Sequence, residues 1–200
     1  MTNDWDEVAA DWDSNKDVIL YNEKAFESLL KFIPVDGLNI LDFGCGTGLL
    51  TEKLSPTANA IVALDNSSQM IAVLDNKKIN NVRTVPKLLS KKLIKENQFL
   101  QKKFDLIIAS SVCSFLPDFQ STLLLLKSLL ADDGYFVQWD WLSSANKPDF
   151  GLNMDAIKSN YRQASLSTIA VSQPFSIISS ENTLPVVMGV ARNNKHRYVN

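Results

Sequence analysis

Between Leu41 and Leu50 the sequence reads LDFGCGTGLL: an aspartate, Asp42, then Gly44, Gly46 and Gly48 at every second position. Glycine reaches positive φ cheaply and lets backbone N–H groups approach a ligand, so such a run after an apolar segment marks a ligand-shaped strand-to-helix turn. A phosphate loop needs Lys-Ser/Thr after its last glycine, and here Leu49 and Leu50 follow Gly48. A dinucleotide fingerprint needs a very small residue at the sixth position from Gly44, which is Leu49. The Asp42 carboxylate would repel a pyrophosphate and suits a cationic or zwitterionic group. The next acidic landmark, Asp65, closes the run AIVALD. A carboxylate at that strand end can accept hydrogen bonds from both hydroxyls of a ribose, its competing role being an N-cap for the following helix.

Few other residues offer chemistry. Asp140, in FVQWDWL, is the best candidate for a general base, because open α/β sheets place ligands at the carboxyl ends of their strands; a loop cap is the competing role. Trp139 and Trp141 share the strand face opposite Asp140, as core or helix contacts or, for Trp141, as an acceptor contact. Trp5 and Trp12 stand seven apart, two helical turns on one face, and fit a lid or simple packing. Cys113 has no neighbouring cation in sequence to lower its pKa and reads as a structural thiol. His196, the sole histidine, falls in the aperiodic tail NNKHRYVN, and no metal-ligand spacing is present. The lysines between Lys87 and Lys103 read as a solvated helix face.

Positioning these residues requires alternating strands and helices. Strands are predicted at Asn39–Phe43, Ala60–Leu64, Val82–Val85, Phe104–Ser110 and Tyr135–Trp141, with helices at Thr47–Leu54, Ser67–Asn76, Leu88–Lys102 and Phe119–Leu130. A preceding helix, Glu23–Phe32, places Phe26, Leu29 and Leu30, with Ile33 just beyond, on one apolar face. After Trp141 comes the turn-rich SSANKPDFG, a helix at Met154–Ala164, and strands at Thr168–Ile178 and Val186–Arg192 joined by SSENTLP as an antiparallel pair. The alternation specifies an α/β fold with a mainly parallel sheet.

At 200 residues and 46% hydrophobic content the chain fits one domain: amino-terminal cap helices at 1–33, a core at 38–192 and a tail at 193–200. A net charge of −2 gives no overall attraction to nucleic acid, which is not expected as a partner. Two cysteines and a start without a basic, apolar leader point to a reduced, cytoplasmic setting. The longest apolar cluster, TLLLLKSLLA, is too short to span a bilayer.

LDFGCGTGLL, the acid of VALDNSSQM, FDLIIASSVCSFLPD, LLADDGYFVQWDW and the terminal VVMGVAR together resemble the class I S-adenosylmethionine-dependent methyltransferases, of the small methyltransferase type 11/12-like kind, over residues 1 to 192. The resemblance implies a Rossmann-like, doubly wound seven-stranded sheet in the order 3-2-1-4-5-7-6 with the last strand antiparallel. It implies S-adenosyl-L-methionine as cofactor, S-adenosyl-L-homocysteine as product and a small-molecule acceptor. Asp42 would lie near the methionine part, Gly44, Cys45 and Gly46 would offer backbone along it, and Asp65 would bind the ribose. Asn66 and Met70 would contact adenine, and the Ser110 carbonyl would face the cofactor's amino group. Trp5 and Trp12 fall where relatives close over the cofactor.

The sequence departs from the family twice. No acidic residue follows the third strand, in VRTVPKLLSKK, leaving adenine to apolar contacts such as Leu88 or to backbone groups. Ser114 and Phe115 stand where many small-molecule relatives carry histidines, and the Asn-Pro-Pro-Tyr type motif of base and glutamine methyltransferases is missing. Two alternatives therefore stand beside an enzyme acting on a small molecule: a non-catalytic cofactor-binding sensor or partner subunit, and an RNA or protein methyltransferase.

Overall fold

A computed structural model describes residues 4–143, 150–178 and 183–194. His196, residues 144–149 of the turn-rich loop and the hairpin connection at 179–182 lie outside the described residues.

Seven strands, β1 (Asn39–Phe43), β2 (Ala60–Asp65), β3 (Val82–Pro86), β4 (Phe104–Ser110), β5 (Leu130–Trp141), β6 (Ser167–Ile178) and β7 (Thr183–Arg192), form one sheet in the order β3-β2-β1-β4-β5-β7-β6. The first five run parallel, while β7 pairs antiparallel with both β5 and β6. This is the order the resemblance implies. The central strands are apolar on both faces because both are covered: Ile40, Ile61 and Ile108 point into one core, and Leu41, Val62 and Ile107 into the other. Helices α2 (Lys16–Leu29), α3 (Leu49–Leu54) and α4 (Ser68–Asn76) contribute to the first core; α6 (Phe119–Leu129) and α7 (Met154–Gln163) contribute to the second.

Several boundaries differ from the sequence expectation for identifiable reasons. Helix α2 starts seven residues before Glu23 because the Asn15 side chain caps it, accepting from the Asp17 and Val18 N–H groups. Its buried stripe is therefore Tyr21, Ala25, Ser28 and Leu29, and Leu30 is left 47% exposed, off the apolar face. The long helix expected at Leu88–Lys102 is broken. Ser90 caps the short α5 (Lys91–Glu96), and Asn97 adopts an extended conformation and caps a separate 3-10 turn at Gln98–Leu100. The amino-terminal segment is not one continuous helix either: α1 (Asp4–Val8) gives way to a 3-10 turn at Ala9–Ser14.

The turn after β1 depends on glycine at its last position. Gly48 is the N-cap of α3 with φ of 82°, and a Cβ there would lie 2.4 Å from Leu74 Cδ1 of α4. A side chain at 48 would be strained by its backbone and would wedge α3 from α4. No described helix is long and apolar enough to cross a membrane.

Candidate active site

The carboxyl ends of β1, β2, β4 and β5 open on a cavity of about 700 Å³, roofed by α1, the following 3-10 turn and the start of α2. That size suits a ligand as large as a nucleoside with a small second molecule. Asp42, Gly44, Cys45, Gly46, Asp65, Asn66, Met70, Leu88, Ser110, Trp5, Trp12, Phe115 and Trp141 all line it, so the structure brings together all but one of the candidate cofactor, lid, acceptor and general-base residues; Gly48, Cys113, Ser114 and Trp139 are not in the lining.

The exception is Asp140. It is fully buried and absent from the lining, because strand alternation turns it to the face opposite Trp141. Its Oδ1 accepts from the Ser114 N–H at 2.9 Å, and its Oδ2 from Gln138 Nε2 at 2.9 Å; Gln138 Oε1 in turn accepts from the Tyr161 hydroxyl. Burial pushes the Asp140 pKa up to about 7, against the hydrogen bonds from Ser114 and Gln138. The carboxyl thus anchors the turn after β4 from below. Cys113, beside it, is buried, and burial first and the Asp140 charge second raise its thiol pKa, which suits a structural sulfur.

On the cavity floor, Asp65 is held by backbone. Its Oδ2 accepts from the Gly46 N–H at 2.9 Å and its Oδ1 from the Ser67 N–H at 2.8 Å. Ser67, and not Asp65, is the N-cap of α4. A carboxylate has about four lone-pair positions, so Asp65 retains acceptor capacity toward the cavity. Burial nevertheless raises its pKa above the usual carboxylate value, with the backbone N–H groups opposing the shift. Asp42 accepts from the Thr51 hydroxyl at 2.5 Å and is 1% exposed; burial pushes its pKa up to about 7, and the Asp65 charge adds to the rise.

These features fit a sulfonium nucleoside. A Cβ on Gly46, whose φ is 54°, would meet nothing nearer than Met70 Sδ and Trp12 Nε1 at 4.0 Å, so the backbone there borders open cavity that a ligand can fill. Two carboxyls on one floor favour a ligand with hydroxyl donors and positive charge. Met70, Leu89 and Leu88 give the β2–β3 side an apolar surface, Leu88 at the rim with 69% exposure and Leu89 buried.

The roof is tied down by aspartates. The Asp6 carboxylate accepts from the Ser67 hydroxyl and the Gln69 N–H; Asp13 accepts from the Thr47 hydroxyl and pairs with Lys77 at 2.8 Å. Trp5 packs edge-on against Trp12 at 5.7 Å and against Phe115 at 5.4 Å. The two indoles meet as their spacing suggested, although through a helix and a 3-10 turn.

Sequence reasoning missed Tyr21, Ser111, Thr47 and Asp13. Tyr21 was hidden because the helix was begun at Glu23, although Tyr21, Ala25 and Leu29 already continue its stripe at four-residue spacing. Ser111 follows β4 with φ of 56°, a strained left-handed conformation for serine, and its N–H donates to the Trp139 carbonyl at 2.7 Å.

Known proteins agree with this geometry. Residues 41–136 match the family model described as "Methyltransferase domain". An uncharacterised methyltransferase of Schizosaccharomyces pombe is 27% identical over 70% of this chain and 51% of its own length. A mitochondrial ubiquinone biosynthesis O-methyltransferase of Dictyostelium discoideum is 45% identical over 26% of this chain and 16% of its own. A ribosomal RNA small subunit methyltransferase A of Listeria monocytogenes is 32% identical over 46% of this chain and 31% of its own. The chain thus spans about half the length of the first of these relatives and less of the others. The N-methyltransferase NodS of Bradyrhizobium japonicum WM9, solved with S-adenosyl-L-homocysteine, shares the fold with a TM-score of 0.68 at 16% identity, covering 96% of this chain and all of that one. A ribosomal RNA enzyme among the relatives means that net charge alone does not argue against nucleic acid. With its Asp-x-Gly-x-Gly-x-Gly turn, strand-end Asp65 and 3-2-1-4-5-7-6 sheet, the chain is similar to methyltransferase domains over residues 41–136 and has the fold of solved S-adenosylmethionine-dependent methyltransferases.

Proposed function

We propose that the protein transfers a methyl group from S-adenosyl-L-methionine to a small-molecule acceptor held in the same cavity. The observation that carries this reading is one cavity lined both by Asp42, Gly46 and Asp65 and by the aromatic side chains of Tyr21 and Trp141. In this assignment Asp65 accepts from the ribose hydroxyls, Gly44, Cys45 and Gly46 border the methionine part with Asp42 beneath, and Asn66, Met70, Leu88 and Leu89 flank the adenine. When bound, the cofactor supplies an electrophilic methyl group on a positively charged sulfur. The chain's part is to hold the nucleophile in line and exclude water, which accounts for much of the acceleration available to such a displacement. The roof pinned by Asp6 and Asp13 provides that exclusion.

Asp140 lies outside the lining, so general-base catalysis by it is not part of this assignment. A nucleophile already carrying an available lone pair fits such a site. Incubation with methyl-deuterated S-adenosylmethionine and a metabolite extract, followed by mass spectrometry, should yield a labelled small molecule. Cofactor binding without any labelled product would favour a sensor or partner subunit instead.

A second reading, methylation of RNA, is favoured by Lys87 at the cavity rim and by Lys91, Lys92 and Lys95 on α5 next to it. It predicts binding to RNA that weakens steeply with salt, with charge-reversal of these lysines lowering the slope.

A further inference from the structure

Tyr21 is a buried polar group without a well-formed hydrogen bond. It is 5% exposed and lines the cavity, yet its hydroxyl makes no hydrogen bond of normal geometry in the described structure, although the Ser110 and Ser111 side chains stand within reach; among the described residues one other buried side-chain atom, Gln120 Oε1, shares that condition. Its ring is held edge-on by Trp141 at 5.2 Å and Phe175 at 5.5 Å, which fixes where the hydroxyl sits. Leaving a buried hydroxyl unsatisfied is costly, and such groups persist where a ligand completes them.

The surroundings define what can complete it. Ser110 and Ser111, at the end of β4, lie beside Tyr21, and the cavity wall continues through Trp141, Ile177 and Leu184. Burial, then the charges of Asp140 and Cys113, raise the phenol pKa well above its usual value, with the Ser110 and Ser111 hydroxyls opposing. The hydroxyl therefore stays protonated and is available as a neutral donor. Among the described residues cationic help is remote. Lys87, the lysine on the cavity lining, follows β3, four strands from β5 in the sheet order, or about 19 Å at ~4.8 Å per strand. An anion at the Tyr21 end would have to shed water with no counter-charge from the described residues, while the carboxylate of Asp17 lines the cavity.

Resting on the methyltransferase reading, we propose that Tyr21 is the specificity-determining residue of the acceptor subsite, donating a hydrogen bond to an uncharged, largely apolar acceptor through one oxygen or nitrogen atom. Acidic acceptors such as carboxylates and phosphates are rejected there.

Phenol, benzoate and benzylamine share one ring and differ in charge, and serve as probes. Their affinities are measured by ligand-observed NMR on the full chain saturated with S-adenosyl-L-homocysteine, for the unmodified protein and for Tyr21→Phe. Phenol should bind tightest and benzoate weakest, by tenfold or more. Tyr21→Phe should weaken phenol about 5- to 10-fold, the worth of one hydrogen bond, while leaving S-adenosyl-L-homocysteine affinity unchanged. The same variant should melt at a higher temperature than the unmodified protein without ligands, because it removes an unsatisfied buried hydroxyl, whereas a merely structural hydroxyl would lower the melting temperature. The proposal is overturned if benzoate or benzylamine binds as tightly as phenol, or if phenol affinity is the same in Tyr21→Phe. Weakened S-adenosyl-L-homocysteine binding in Tyr21→Phe would also overturn it, placing Tyr21 in the cofactor subsite. Failure of the unmodified protein to bind S-adenosyl-L-homocysteine at all would strike the underlying reading, a result separate from a wrong order of probes.

Discussion

At the scale of single residues, the two floor carboxyls have different environments. Asp65 is gripped by the Gly46 and Ser67 N–H groups, whereas Asp42 has the Thr51 hydroxyl as its hydrogen-bond donor and is buried deeper. A bound positive charge near Asp42 favours its ionised form, so cofactor binding should release a proton below pH 7. Affinity for S-adenosylmethionine should therefore rise between pH 6 and pH 8 and be flatter for Asp42→Asn, as titration calorimetry in buffers of different ionisation enthalpy would reveal. Asp42, Asp65 and the glycines were legible because backbone geometry ties their types to their spacing. Tyr21 was not, since its role comes from contacts with Trp141 and Phe175, on strands more than a hundred residues away. Asp140 was legible only as to face: alternation set it opposite Trp141, but the cavity's side of the strand emerges only when α2 is packed on the sheet.

At the scale of elements, the roof and the α3 turn carry separate consequences. Asp13 joins the roof to the core through Thr47 and Lys77. Asp13→Ala should speed S-adenosyl-L-homocysteine release about 5-fold in stopped-flow measurements with a stability loss of about 1–2 kcal/mol, since the ion pair is only partly exposed and the buried Thr47 hydroxyl loses its acceptor. Gly48→Ala should act through stability instead, costing about 1–3 kcal/mol in denaturant unfolding through its left-handed backbone and the contact with Leu74. Strand positions in the sequence were readable because apolar runs of five to seven residues sit between turn signals. The region after β3 misled because its lysines and leucines suit a helix, while Ser90 and Asn97 impose caps that cut it short.

At the scale of the molecule, burying Asp42 and Asp140 makes stability fall with rising pH. Both carboxyls titrate at about 7 in the fold against 3.8 as their ordinary value, so the folded state holds more protons than the unfolded chain between those limits. Without ligand, stability should drop by about 1.5–2.5 kcal/mol per pH unit from pH 5 to pH 7, and Asp140→Asn should roughly halve that slope, as urea unfolding across the range would show. The sheet order followed from the alternation of strands and helices and from the final hairpin, whereas the identity of the acceptor depends on the roof and on the end of β5, where no motif constrains residue types. If the floor made by Gly46 and Asp65 binds S-adenosylmethionine, calorimetric titration of S-adenosyl-L-homocysteine into the protein and into Asp65→Ala will separate the two proteins. Saturable one-to-one binding, weakened about 100-fold or about 3 kcal/mol in the variant, is the predicted result; no binding, or equal affinity for both proteins, would contradict it.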